Sequence, residues 1–255
     1  MGIEKVRYHL LDEARGFAVL CMVFYHAFYT MAWMFDISIG LTLLNFFEPA
    51  EPFFAAFFIF LSGIACQLTH SNLKRGLKLL VVSLFLTGIT LILPYFNIEG
   101  AEIYFGILHL LSFGMLLVAL MNKVIKSTPI LLGAIVFFVL FLVFYNIESG
   151  YLGFGKLRYT LPQSLYTNDN LFILGFHSDN FYSADYFPIL PWIFMFLCGA
   201  FIGLYAPAGK FPSFLCKKCI PPFAFIGRHA LLIYIVHQPL IYAVIYLVYF
   251  IINLF

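Results

Sequence analysis

Residues 7–29, RYHLLDEARGFAVLCMVFYHAFY, decide how the chain is read: a charged doorstep passes without a break into an apolar helix carrying a single histidine, His26. Nothing charged accompanies His26 within the apolar part. An ionisable ring at that depth faces protein or trapped water, which makes it a functional candidate. The same ring could instead join two helices through one hydrogen bond. Arg15 and His26 are eleven residues apart, close to three helical turns, so they share a face with Val19 and Met22 between them. Arg15 then stands about 16 Å below the histidine; its alternative role is to snorkel to lipid phosphates. Asp12 is placed to cap this helix.

Working outward, 63% of the 255 residues are apolar and 10% are charged, with a mean hydropathy of +0.98. That leaves too little polar surface to coat a water-soluble globule, so the expected class is an all-α integral membrane protein. Seven apolar runs are each about long enough to cross a ~30 Å hydrocarbon layer: residues 16–35, 53–68, 77–96, 103–121, 129–147, 186–206 and 223–252. About seven transmembrane helices in a single domain, 1–255, are expected. The first run is too long for a signal h-region and lacks a small-residue cleavage site, so no cleavable signal is expected there.

Orientation follows from the cations. Lys5, Arg7, Arg15, Lys74, Arg75, Lys78, Lys123, Lys126, Lys210, Lys217, Lys218 and Arg228, 12 of the 14, fall on one side, and only Lys156 and Arg158 fall opposite. The positive-inside bias therefore predicts a cytoplasmic N-terminus, an external C-terminus and a multi-pass protein of the plasma (inner) membrane. Nine of the twelve acids, Glu99 among them, fall on the outer side. The five cysteines suggest no disulfide framework, and the lone CKKC at 216–219 is a weak zinc or redox signal.

Beyond the first span, the outer connector 36–52 holds Asn45, Glu48 and Glu51, and Pro49 and Pro52 are expected to stop any long helix there. The second span carries Ala55, Ala56, Ser62, Gly63 and Ala65, small residues that let backbones approach. A basic loop, HSNLKRGLK, follows at 70–78 and suits lipid headgroups or a phosphate-bearing ligand. The fourth span, starting at Glu102, would place His109 about 10 Å below the outer surface, and the seventh would carry His237 nine residues above Arg228 on one helix. Pro239 beside His237 removes the amide that would bond the carbonyl of Ile235. Three histidines at compatible depth imply a shared polar chamber. The long external loop, 148–185, is rich in Tyr, Asn, Asp, Gln and His, the residue types that bind a polar, sugar-like ligand, and its NLFILGF segment is expected to lie on or dip into the membrane surface.

These segments resemble known families. RGFAVLCMVFYH at 15–26 followed by FFIFLSG at 57–63 resembles the start of the integral-membrane acyltransferase-3 proteins. YFGILHLL at 104–111, SADYFPILPW at 183–192 and GRHALLIYIVHQP at 227–239 look more like the family of the heparan-alpha-glucosaminide N-acetyltransferase catalytic domain in its compact bacterial form. The resemblance implies a transferase that moves an acetyl or other acyl group from cytoplasmic acyl-coenzyme A to an amine or hydroxyl of an exofacial sugar or glycan. It implies catalytic roles for His26, His109 and His237, with Arg15 and Arg228 at the donor end. Lys74, Arg75 and Lys78 extend the cationic face that a phosphorylated nucleotide needs. Asp185, Tyr186 and Trp192 of the SADYFPILPW segment are expected at the acceptor. The chain departs from the families at Thr30, where compact relatives often carry an acid, and in 45–52, which has no histidine. Lipid is the surrounding partner, a homodimer stays open, and no metal or nucleic acid is expected.

In mechanism, His26 would act as general base on the acceptor and His237 or His109 would hydrogen-bond the developing oxyanion; an acetyl-histidine relay stays open beside direct transfer. A small-solute transporter or a haem protein using the intramembrane histidines is the alternative, although no internal repeat is evident.

Overall fold

A computed structural model describes residues 7–69, 71–96, 98 and 100–252; Lys5, His70 and Glu99, included in the sequence reading, lie outside the described residues. The helices are α1 (His9–Tyr29), α2 (Ser38–Phe47), α3 (Glu51–Gln67), α4 (Asn72–Thr90), α5 (Ile107–Leu120), α6 (Asn122–Ser127), α7 (Ile130–Phe144), α8 (Ile189–Gly203), α9 (Pro221–Arg228) and α10 (Ala230–Ile252). A two-stranded antiparallel hairpin, β1 (Tyr151–Phe154) and β2 (Leu157–Thr160), sits between α7 and α8. Among the described residues, five helical stretches are long and apolar enough to cross a membrane: His9–Met34, Ser38–Gln67, Asn72–Phe96, Ile130–Ser149 and Ala230–Ile251. The apolar helices α5 and α8 are shorter. Val81, Leu84 and Phe85 on α4, Leu131 and Leu132 on α7, and Leu240, Leu247 and Val248 on α10 are all exposed. Apolar faces of that extent belong in lipid. The chain is a multi-pass, all-α membrane protein.

Several boundaries differ from those read in the sequence, each for a physical reason. The connector 36–52 is mostly helical. Pro49 and Pro52 sit in the first turns of a 3-10 segment (Glu48–Ala50) and of α3, where a missing N–H leaves no bond unmade, so they start helices here rather than stop them. The fourth span begins at Ile107 rather than near Glu102, because residues 102–106 are non-helical and their carbonyls at Glu102 and Phe105 are taken by another segment. His109 therefore stands in the first turn of α5. The seventh run is broken at His229 (φ −103°, ψ 17°), so Arg228 ends α9 while His237 belongs to α10. A rise along one helix no longer relates them. Asp12 lies inside the first turns of α1, where it accepts from Arg7 at 2.9 Å and lies 3.7 Å from Arg15, so it does not cap the helix.

The chain gathers into two compact units, Met1–Leu61 with Phe211–Phe255, and Ser62–Lys210. In the first, α1 packs on α9 at a glycine pair. A Cβ on Gly16 would collide with the carbonyl of Phe223, and one on Gly227 with the carbonyl of Asp12, so the two backbones touch. α1 also packs along α10 and α2, and it winds out into a π-helical turn, Thr30–Met34, before α2. In the second unit, Gly63 of α3 meets the backbone of Phe196 on α8, and Gly203 meets that of Ile64. The small residues of the second span do permit close packing. Ser83, Leu110, Val118 and Phe196 are buried in the core of this unit.

The glycine contact between α1 and α9 involves backbone on both sides, which cannot swing aside as a side chain can. Gly16→Val should cost about 1–3 kcal/mol or more through overpacking and lower the folded yield in detergent. Gly88→Ala, on an exposed part of α4 with open space at its Cβ, should be neutral or stabilise by up to about 1 kcal/mol. Thermal midpoints of the two purified variants, compared with the parent chain, check both.

Candidate functional site

α1 is unbroken from His9 to Tyr29, so Arg15 and His26 do share one helix eleven residues apart. Arg15 and Arg228 each directly adjoin one glycine of the Gly16–Gly227 contact, which brings the Arg-Gly and Gly-Arg motifs together. Arg228 is exposed, whereas the Arg15 side chain is four-fifths buried, with Asp12 at 3.7 Å. In the same unit the ring of His26 lies 4.9 Å from the ring of His237, centre to centre, at a tilt of 58°. His237 is buried and His26 partly exposed.

The tautomer of His237 follows from its partner. Nδ1 stands 2.6 Å from the carbonyl oxygen of Tyr234, which can only accept, so Nδ1 carries the hydrogen and Nε2 holds the lone pair. That Nε2 is buried and has no hydrogen-bond partner among the described residues. One helical turn above His26, the fully buried Thr30 receives a hydrogen bond from Nε2 of Gln238 at 3.1 Å. The seam between α1 and α10 thus has two polar rungs, His26 with His237 and Thr30 with Gln238. Sequence reasoning found the first rung. Thr30 it noted only for the absence of an acid, and Gln238 it passed over; the signal was there in the spacing, since Thr30 follows His26 by four residues and Gln238 adjoins His237.

His109 and Asp185 lie in the second unit and meet each other's backbone neighbours. The non-helical segments 102–106 and 183–187 are laced by Ala184 N–H to the carbonyl of Glu102 at 2.8 Å and by Phe187 N–H to that of Phe105 at 3.3 Å. Asp185 Oδ2 accepts the N–H of Ile107 at 2.9 Å, and His109 Nδ1 accepts that of Gly106 at 3.2 Å. Both side chains therefore satisfy donors at the start of α5, which the helix itself leaves unpaired. His109 carries its hydrogen on Nε2, 3.5 Å from Thr87 Oγ1. Tyr186 donates to the carbonyl of Phe172, and Trp192 is buried against Phe187, Phe141 and Tyr145. Lys74, Arg75 and Lys78 are exposed in the first two turns of α4. Among the described residues, no group of three or more His, Cys, Asp or Glu is placed to hold a metal ion.

The segment after α7 is more ordered than its composition indicated. Gly155, at φ 56°, makes the two-residue turn of the hairpin, and Arg158 lies 4.2 Å from the centre of the Tyr151 ring. A Gly-Lys pair between YLGF and LRYT is the signal that could have revealed it. Further on, Glu102, Tyr104, Asp169, Phe172, Asn180, Phe181 and Tyr182 line a cleft of about 460 Å³. None of the seven was singled out from the sequence for binding, although five of them lie in the long loop that was. Asp169 accepts the N–H of Ser178 at 2.8 Å, and this bond holds its carboxyl below the usual range. His177 Nε2 lies 3.8 Å from Glu148, an ion pair without a direct hydrogen bond.

The Glu148 carboxylate raises the pKa of His177 above its ordinary value, and burial opposes it. The stabilisation from this pair is complete below the ordinary histidine pKa of about 6.5 and fades as pH rises through the raised value. Because both groups are partly exposed, at most about 1 kcal/mol is involved. Glu148→Gln should therefore lower the thermal midpoint at pH 5.5 and leave it unchanged at pH 8.5. Asp185→Ala should destabilise by about 1–3 kcal/mol at either pH, by stranding a buried N–H, and Asp185→Asn should recover much of that loss.

Comparison with curated proteins and with solved structures gives no match. A family model described as "Heparan-alpha-glucosaminide N-acetyltransferase, catalytic" matches residues 7–239, a range that includes both rungs of the seam, the arginine pair at the glycine contact and the Gly106–Asp185 junction. The chain accordingly belongs to the heparan-alpha-glucosaminide N-acetyltransferase catalytic-domain family and is a membrane transferase of the acetyltransferase type.

Proposed function

We propose that the protein transfers an acetyl group from acetyl-coenzyme A, taken from the cytoplasm, to an amine or hydroxyl of an exofacial sugar or glycan, and that it works in the plasma (inner) membrane. The observation that carries this reading is the pair His26 and His237, 4.9 Å apart within the matched range. The donor end is the side of Arg15 and Arg228, whose guanidinium groups suit the nucleotide phosphates. The N-terminus then faces the cytoplasm, in keeping with the distribution of Lys and Arg. The cleft at Glu102, Tyr104 and Asp169 offers aromatic faces beside hydrogen-bonding groups, the combination that suits a polar, ring-shaped acceptor.

In the transfer step, the acceptor nitrogen or oxygen attacks the thioester carbonyl. His26 takes the proton of the nucleophile, the carbon–sulfur bond breaks, and the proton returns to the coenzyme thiolate. His237 has its Nδ1–H fixed on Tyr234, so it offers a second lone pair beside His26, and the two rings share the proton load. This tautomer makes His237 an acceptor.

His26→Ala should fold with an unchanged thermal midpoint and bind acetyl-coenzyme A within about twofold of the parent. Its turnover should fall by about 10²–10⁴-fold, the range for loss of a general base. Release of coenzyme A thiol by purified protein, with D-glucosamine as the acceptor probe, measures turnover. Substantial turnover by well-folded His26→Ala rejects the assignment.

A further inference from the structure

The two rungs between α1 and α10 differ in what they leave over. An interhelical hydrogen bond that served only to join helices would be complete in itself. Here Nε2 of Gln238 is used on Thr30, but Oε1 of Gln238 is buried without a partner, and so is Nε2 of the neighbouring His237. A buried acceptor that goes unmatched weakens a fold, and no lipid chain can relieve it. Two such acceptors on consecutive residues, facing the helix that carries His26, call for N–H or O–H donors that the described residues do not supply. The clamp on the other end of the amide adds to the case. Thr30 is wholly buried, and it opens the π-helical turn, a wider winding often found where a helix serves a site.

We propose that Gln238 is a substrate-contacting residue of the transfer site, positioned by Thr30, whose free carbonyl oxygen accepts an N–H or O–H from bound substrate. Two sources carry that chemistry: an amide N–H of the pantetheine arm of the coenzyme, and the nucleophilic group of the acceptor. The inference rests on the acetyltransferase reading above. It assigns Thr30 the role of a positioning residue, since its hydroxyl fixes the turn of the Gln238 amide without touching substrate itself.

The test uses the full chain in detergent and two variants. Gln238→Met keeps length and removes the acceptor; Thr30→Val keeps shape and removes the clamp. Acetyl-coenzyme A affinity is read by calorimetry, thiol release is read with and without D-glucosamine, and the thermal midpoint is read without ligand. Loss of one hydrogen bond to substrate should appear as an about three- to tenfold change. Weaker acetyl-coenzyme A binding in Gln238→Met supports the pantetheine source. Unchanged binding with slower thiol release supports the acceptor source. Thr30→Val should move the same parameter in the same direction by a smaller factor, and neither variant should lose much midpoint, because Gln238→Met also removes an unmatched buried atom. A lowered midpoint with affinity and thiol release unchanged in both variants overturns the proposal and leaves Gln238 as helix glue. If Gln238→Met fails to fold, Thr30→Val decides on the same readouts. A parent chain that neither binds nor consumes acetyl-coenzyme A removes the acetyltransferase reading and this proposal with it.

Discussion

Hydrocarbon gives a polar atom nothing to bond with, and that one constraint explains most of what is unusual in this chain. Thr30, Ser83, Ser112 and His109 are all buried, and each finds a partner within the protein: Gln238, the carbonyl of Leu80, the carbonyl of His109, and the N–H of Gly106. Against that background the unmatched side-chain atoms among the described residues stand out: Nε2 of Gln67, Nε2 of His177, Nε2 of His237 and Oε1 of Gln238. The last two are neighbours on α10, the adjacency on which the proposal for Gln238 rests.

Backbone contact supplies the second organising element. Where lipid tails are as apolar as the side chains, helices gain little by burying leucine and more by fitting closely. Gly16 against Gly227 and Gly63 against Phe196 show this fit in the first and second units respectively. The first of these contacts also places Arg15 and Arg228 as neighbours. The donor end we propose falls on the same two dipeptides.

How much of this could be read from the sequence depended on range. The membrane class was legible because hydropathy is a local, summed property, and α1 was legible because its charged start and apolar body are contiguous. The Arg15–His26 spacing survived because α1 has no break. Boundaries set by position within a turn were not legible: Pro49 and Pro52 look like stops until it is known that they fall where no N–H is needed. The break at His229 likewise leaves no local mark. Pairings across the chain were the least accessible. Ile107 and Asp185 are 78 residues apart, and nothing in either segment announces the other. His109 and Asp185 could thus be recognised as motif residues while their capping geometry stayed hidden. Gln238 was missed because its meaning lies in Thr30, 208 residues away.

The junction at the head of α5 has a consequence for heredity. A Cβ on Gly106 would fall on the Asp185 carboxylate and its backbone carbonyl, so the absence of a side chain at one position and the acid at the other are two halves of one joint. Among descendants of a common ancestor the pair should be inherited together. A lineage that surrendered the acid would be released from the glycine, and one that gained a methyl group at 106 would have to give up the acid or shift the segment that carries it. The two motifs, distant in the reading order, should therefore drift as a single character.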